Sequence, residues 1–355
     1  MNNDRIQEIL DLMEEARLDY FLISDPQSIA YCTGYYNDPH ERMFVFMISK
    51  HGNHTLFMND LFYLDHDLDV NIVWHKDGQD AIQTIVDEMH FPGRIGIDKN
   101  WASHFLLDLM KKLPDAKYIN ASPCVDLVRM KKDLQEQVLM IESSKINDAV
   151  MEEIIPFIQE GVTEKQLAKK LDELFFNHHS TCYGAIVAFG KNAADPHHEN
   201  DDTLLRKGDC VLIDMGCVYK GYCSDMTRTF FYEGILEEEI KVYEIVKKAN
   251  EAAEAMIKPG VKLSDIDKCA RKVISDEGYG KYFTHRLGHF IGRDVHEYGD
   301  VSSVNEMKVE EGMIFSIEPG IYLEGNFGVR VEDLVMVTKD GCQVLNSFTK
   351  DIYII

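Results

Sequence analysis

The chain has 355 residues, 45% of them hydrophobic, which is enough apolar material for one large or two ordinary domains without covalent staples. Its 37 Lys and Arg against 61 Asp and Glu leave a net charge of −24, which argues against nucleic acid or an anionic membrane surface as a partner. The eight cysteines are scattered without a CxxC pair, and they read as reduced thiols rather than as a disulfide framework or a thiolate metal site.

The start of the chain runs into a charged amphipathic pattern with no apolar signal core, and no run of about 18 apolar residues follows anywhere. A cytoplasmic protein is expected. Ile6, Ile9, Leu10 and Met13 share one helical face, and Tyr20–Ile23 reads as a buried strand stopped by Ser24, Asp25 and Pro26. Val45–Ile48 and Thr55–Met58 flank a turn at His51, Gly52 and Asn53. Extended Val70–Val73, a helix from about Asp80, extended Arg94–Asp98 and a helix over Trp101–Leu113 come next. Residues 1–130 are therefore expected to form an α/β domain.

The texture changes near residue 130. From Asp133 to Ile158 the pattern is one long charged helix without glycine, kinked at Pro156 and ended by Gly161. Thr163 and Gln166 have capping-box spacing and open another helix. Extended segments around 183–189, 210–218, 222–232, 313–323 and 328–338 then alternate with helical patterns at 236–258 and 264–277. Residues 131–355 are expected to form an α+β domain.

The densest chemistry lies in this second domain. Two alternating runs flank Tyr219–Tyr222, and a hairpin folded at their midpoint puts Asp214 directly opposite Asp225. Opposed side chains of like charge are unfavourable unless a cation sits between them. The plainer alternative leaves one Asp on a solvated face and the other in the turn. A second hairpin, centred on Gly325, sets Glu318 against Glu332 and puts Arg330 on the same face; a salt-bridged edge strand is its plainer alternative. Between them lie His285, His289 and His296, with His197 and His198 upstream. His285 and His289 have the spacing of a zinc-protease helix, but position 286 is Arg rather than a Glu base, and Gly288 disfavours helix. Four carboxylates and an imidazole suit a pair of divalent first-row ions better than one thiolate-rich zinc site.

At these residues the chain resembles the dinuclear metallopeptidases of the pita-bread fold, which include methionine aminopeptidase, aminopeptidase P and prolidase, with the metal-free creatinase as a relative. The resemblance runs from Asn192–His197 through Gly341 and implies that the second domain is a pita-bread catalytic domain. It implies five metal ligands, Asp214, Asp225, His289, Glu318 and Glu332, with Asp225 and Glu332 bridging two divalent ions, manganese first and Co, Zn or Fe as alternatives. His197, His285 and His296 match the non-ligand active-site histidines, and Arg330 the arginine that contacts substrate. An auxiliary creatinase-like first domain and the loop Asp38–Arg42 make the chain look more like a bacterial proline dipeptidase than an aminopeptidase P.

The resemblance implies hydrolysis of Xaa-Pro dipeptides by a hydroxide bridging the two metals. Glu318 would shuttle the proton, His296 would stabilise the developing gem-diolate, and His285 would contact the leaving-group side. Arg330, with Arg293 or His40, would meet the substrate carboxylate. A homodimer is expected, because the Asp38–Arg42 loop of such proteins can approach a neighbouring subunit's site. Phe290 and Arg293 depart from the family pattern, as does Gly299, which stands where a proline is usual. A bulky Phe290 beside the site bears on substrate length.

Overall fold

A computed structural model of the chain describes residues 1–64, 67–90 and 92–355. The chain divides into two units, Met1–Arg129 and Met130–Ile355.

In the first unit, six strands form one sheet: β1 (Tyr20–Ile23), β2 (Val45–Ser49), β3 (Thr55–Asn59), β4 (Asn71–His75), β5 (Arg94–Ile97) and β6 (Lys117–Asn120). Their order is β4-β3-β2-β1-β5-β6. Pairing is antiparallel along β1–β2 and β2–β3, and parallel elsewhere. Phe21, Ile23, Phe46 and Ile48 point to one face and pack with Ile6, Ile9 and Met13 of the first helix. Their sequence neighbours Tyr20, Leu22, Val45 and Met47 point to the other face and pack with Ile82, Ile85 and Leu109. Strands covered on both faces read as continuous apolar runs, which is why they are legible in the sequence.

Three elements of this unit are absent from the sequence reading: the helix Pro26–Thr33, β6, and the helix Ser122–Met130. Ser24, Asp25 and Pro26 stop a strand, but they also start a helix. The Asp25 side chain accepts from the Ser28 amide, Pro26 occupies the first turn and Gly34 closes the helix at φ +81. β6 carries Lys117 and Asn120 at a half-exposed edge, so its apolar signal is weak.

The second unit opens with the helix Leu134–Ile154, started by a capping box between Asp133 and Glu136 and passing into a 3-10 turn, Ile155–Phe157, at Pro156. The helix Glu164–Asn177 follows, with the Thr163 and Gln166 capping box in place. Then come β7 (Thr181–Cys182), β8 (Ile186–Phe189), β9 (Cys210–Met215), β10 (Cys217–Tyr219), β11 (Tyr222–Cys223) and β12 (Met226–Phe231). The helices Glu237–Met256 and Leu263–Asp276 precede β13 (Gly288–His289), β14 (Asp300–Val301), β15 (Ile314–Ile317), β16 (Gly320–Leu323), β17 (Phe327–Arg330), β18 (Asp333–Val337) and β19 (Cys342–Val344). Val150, Met151, Ile154, Leu167 and Leu171 of the first two helices bury against Val187, Val211, Ile213 and Phe230 of the sheet β8-β9-β12.

Two interrupted hairpins place the acids. In the first, β9 pairs with β12 and β10 with β11, closed by Lys220 (φ +49) and Gly221 (φ +82). Two successive left-handed residues make the tight turn whose twist suits a hairpin, and glycine takes the second at no steric cost. This corrects the expected register. Asp214 opposes Thr227, two positions beyond Asp225. The fold-back lies one residue later than the midpoint between the two acids, and Asp225 falls in the interruption between the ladders.

The second hairpin has the register read from its sequence, with Gly320 opposite Arg330 and Ile317 opposite Asp333. Glu318 and Glu332 occupy matching positions in its own interruption. Three of the four acids thus sit where ladder pairing lapses.

Candidate active site

A cavity of about 690 Å³ in the second unit is lined by Asp214, Asp225, Glu318, Glu332, His289 and Arg330, and also by His197, His285, His296, Tyr183 and Arg286. Asp225, His289 and Glu332 are buried, and one ligand atom from each lies within 4.8 Å of the others. Gly288 lets His289 reach this place, since a Cβ at 288 would lie 1.9 Å from the Ser316 carbonyl oxygen.

The His289 imidazole is aimed by its surroundings. Its backbone amide donates to Ser316 Oγ at 3.0 Å, and its Nδ1 lies 3.2 Å from the Phe290 carbonyl, which assigns the proton to Nδ1. Nε2 then faces Asp225 Oδ2 at 3.5 Å and Glu318 Oε1 at 3.7 Å. Those separations are too long for hydrogen bonds. Glu318 accepts from Ser316 Oγ at 3.1 Å, and Glu332 from Thr227 Oγ1 at 2.6 Å.

Burial pushes the Asp214 pKa up to about 6, with Arg330 opposing and Asp225 adding. Burial likewise lifts Glu318 to about 7 against the pull of His289 and Arg330. Glu332 is held well above the ordinary carboxylate range by burial and then by Asp225 and Glu318. Burial disfavours a charged His289, but Asp225 and Glu318 outweigh it and raise its pKa. A cluster whose acids and imidazole are shifted toward their protonated forms is short of positive charge. Oxygen and nitrogen donors of this type, aimed at one space, fit divalent cations, which would displace those protons.

Arg330 is 2% exposed and is held by its neighbours. Nε donates to Thr227 Oγ1 at 3.0 Å, Nη1 to Tyr322 Oη at 3.1 Å and to the Pro196 carbonyl at 3.5 Å, and Nη2 to Asp214 Oδ2 at 2.6 Å. Tyr322 Oη lies 2.8 Å from His285 Nε2, and His285 Nδ1 lies 2.7 Å from the Arg286 carbonyl. The only consistent proton assignment runs one way: Arg330 donates to Tyr322, Tyr322 to His285, and His285 to the backbone. Burial lowers the His285 pKa to about 4 and that of His296 to about 4 as well, keeping both rings neutral. The His296 ring meets His289 edge to face at 4.2 Å between centroids.

The cavity does not take in every residue expected there. Arg293 does not line it; its guanidinium lies over the Tyr222 ring at 5.4 Å, while the cavity-lining arginine besides Arg330 is Arg286. His40 belongs to the first unit, in a loop where Arg42 makes two bonds of 2.9 Å to Asp77. Phe290 is fully buried, meets the Phe315 ring at a tilt with centroids 5.3 Å apart, and occupies the space that a Cβ at Gly299 would need, 2.8 Å away. The two departures from the family pattern thus compensate one another, and the ring stays outside the cavity lining.

Thr227, Ser316 and Tyr322 orient the acids and rings, and the sequence reading passes over them. Period-2 alternation gives the missing signal: Thr227 and Thr229 share a face of β12, and Ser316 lies two residues before Glu318. Both threonines grip Arg330: the Thr229 hydroxyl donates to the Arg330 carbonyl and accepts from the Arg330 amide.

A second acid and imidazole cluster, Glu164, His198 and Asp201, also lies within ligand reach. Glu164 is fully buried and accepts from the Phe189 amide, Asn192 Nδ2, the Asp201 amide and His198 Nε2, the last at 2.6 Å. It is a closed hydrogen-bond knot.

Residues 138–339 match the metallopeptidase family M24, and residues 5–131 match the creatinase/prolidase N-terminal domain. An uncharacterized peptidase of Staphylococcus aureus is 34% identical, over 98% of this chain and 99% of its own length. The crystal structure of a dipeptidase from Pyrococcus horikoshii OT3 is 35% identical and superimposes with a TM-score of 0.92 over 99% of this chain and all of the other. That of a prolidase from Thermococcus sibiricus is 32% identical, with a TM-score of 0.94 over 100% of this chain and 99% of the other. An α/β creatinase-type N-terminal domain followed by an α+β pita-bread domain, with an acid and imidazole cavity in the latter, accounts for all of these likenesses: the chain belongs to metallopeptidase family M24 and is a peptidase.

Proposed function

We propose that this peptidase is a proline dipeptidase, hydrolysing the imide bond of Xaa-Pro dipeptides, with its catalytic machinery in residues 131–355 and an auxiliary domain in residues 1–130. The observation that carries the reading is the cavity itself. It places four acids and the His289 imidazole around one cavity, with Asp225, His289 and Glu332 within ligand reach of one another, in a chain that superimposes end to end on a dipeptidase and a prolidase. A tertiary amide to proline offers no N–H and a rigid ring, so a small closed site suits it better than an extended peptide groove.

Asp214, Asp225, His289, Glu318 and Glu332 would hold two divalent ions, manganese first among them. Such ions supply Lewis acidity, which lets water ionise near neutral pH and polarises a carbonyl. The residues do the rest. Glu318, which lines the cavity beside His289, takes the proton from the attacking water and returns it to the leaving imide nitrogen. His296 is neutral and presents an N–H to the oxygen that becomes negative. His285, fixed by Tyr322 and the Arg286 carbonyl, contacts the proline side, and His197 closes the cavity beside it. Arg330 holds Asp214 and Tyr322 in place and so contributes position.

We also place the protein in the cytoplasm as a homodimer, in keeping with its charge and with the loop Asp38–Arg42. The test is chelation followed by single-metal add-back, with Leu-Pro and a longer Leu-Pro-initiated peptide offered side by side. Manganese-restored cleavage of the dipeptide alone is expected. Cleavage confined to the longer peptide makes the chain an aminopeptidase P, and no recovery with any metal sinks the reading.

A further inference from the structure

The cavity contains two guanidinium groups in opposite states. Those of Arg330 are engaged at Nε, Nη1 and Nη2, and the side chain is 3% exposed. The Arg286 side chain is 40% exposed, lines the same cavity, and meets its nearest carboxylate, Asp300 Oδ2, only at 4.0 Å. Asp300 itself is occupied through Oδ1 by Ser302 Oγ at 2.8 Å. Arg286 also stands on a fixed base. Its carbonyl accepts from His285 Nδ1, the His285 carbonyl accepts from Arg271 Nη2 at 2.9 Å, and the Leu287 amide donates to Asp267 Oδ1 at 3.2 Å. The result is a long cationic arm on pinned backbone, lining the cavity that also holds the four acids.

We propose that Arg286 is the specificity-determining residue that binds the C-terminal carboxylate of a dipeptide substrate. This rests on the dipeptidase reading above and assigns a part of it that Arg330 is too fully engaged to play. A dipeptide differs from the start of a longer peptide by one negative charge next to the proline ring. The lining acids offer that carboxylate no N–H donor, whereas a planar guanidinium with unused N–H donors accepts it in paired geometry. Because the contact exists before and throughout the reaction, its loss raises KM and leaves kcat nearly unchanged.

The experiment compares wild type, Arg286→Ala and Arg286→Lys on Leu-Pro and on Leu-prolinamide, whose terminus is neutral. The Ala variant is expected to lose about 10- to 100-fold in kcat/KM on Leu-Pro, through KM, the range for a charged hydrogen bond. On the prolinamide it should stay within about twofold, and the Lys variant should recover part of the loss because its charge remains. Equal losses on both substrates, or none on Leu-Pro, overturn the assignment. Should wild type cleave neither compound, the dipeptidase reading fails by itself. Calorimetric titration with L-proline and L-prolinamide then still decides on Arg286: selective loss of proline affinity in the Ala variant supports it, and matched affinities refute it.

Discussion

The second unit holds two clusters built from the same parts, and they do opposite things. Glu164, His198 and Asp201 form one; Asp225, His289 and Glu332 form the other. Around Glu164 both carboxylate oxygens are occupied by donors between 2.6 and 3.0 Å. Around His289 the nearest acids stand off at 3.5 and 3.7 Å, and neighbouring carboxylates keep raised pKa values. Residue type does not separate the two; donor accounting does, together with burial, since His198 is half-buried and Asp201 exposed whereas Asp225, His289 and Glu332 are all buried. A buried carboxylate with all its donors is architecture, whereas buried carboxylates short of donors are a demand for a cation.

The most severe way to break this contrast is to remove one carboxylate charge from each cluster. Asp225→Asn or Glu332→Gln should lower kcat by about 1,000-fold or more, since each removes a ligand together with the geometry it imposes. Metal content measured on the purified variant should fall with it. Glu164→Gln leaves the ligand set intact and should keep its metal, while losing about 1–3 kcal/mol of stability as buried donors go unmatched. A Glu164→Gln protein that folds normally but binds no metal would erase the distinction.

The second test is thermodynamic. Asp214 and Glu318 have pKa values near 6 and 7 in the folded chain, against about 4 in an unfolded one. Between those values the folded state binds more protons than the unfolded state, so stability falls as pH rises. On this account the contribution to the midpoint of metal-free protein should be greatest at and below about pH 4, and should be lost as pH rises through about 6–7. The gain from added divalent ions should be larger at pH 7.5 than at pH 5. Glu254, raised to about 7 by burial and Asp333, adds to the same decline, but Lys350 and not a metal is its partner. The metal-dependent part of the curve isolates the cavity acids. A pH-independent metal gain in differential scanning calorimetry would count against cation demand.

How much of this was legible in the sequence depends on which force fixes each feature. Strands covered on both faces announce themselves, and the helix starts at Asp133 and Thr163 follow from local capping chemistry. All four acids of the cavity stand out because two hairpins bring them together. Their pairing is less legible. A single residue of turn placement decides whether Asp225 opposes Asp214 or falls in a ladder break, and the left-handed conformation of Lys220 that settles it leaves no mark in composition. His197 and His198 are adjacent and chemically identical, and only the depth of Glu164 draws His198 away from the cavity while His197 lines it. Phe290 looked obstructive because Gly299, nine residues on, had to be seen beneath it.

The smallest effect tests the residue that joins the two regimes. Tyr322 belongs to the satisfied network through Arg330 Nη1 and to the reactive cavity through His285 Nε2. Replacing it with Phe keeps the ring and its burial, and removes one hydroxyl. Arg330 retains its bonds to Asp214 and Thr227, so the acid cluster should hold its metal. His285 keeps its Nδ1–H on the Arg286 carbonyl but loses the donor at Nε2, so the ring is held at one end only. A loss of about tenfold in kcat is expected, equivalent to about 1.4 kcal/mol at the transition state, with unchanged metal content. Lost stability with undiminished kcat would assign Tyr322 to the architecture alone, and His285 would then act without the proton order that Arg330 and Tyr322 impose on it.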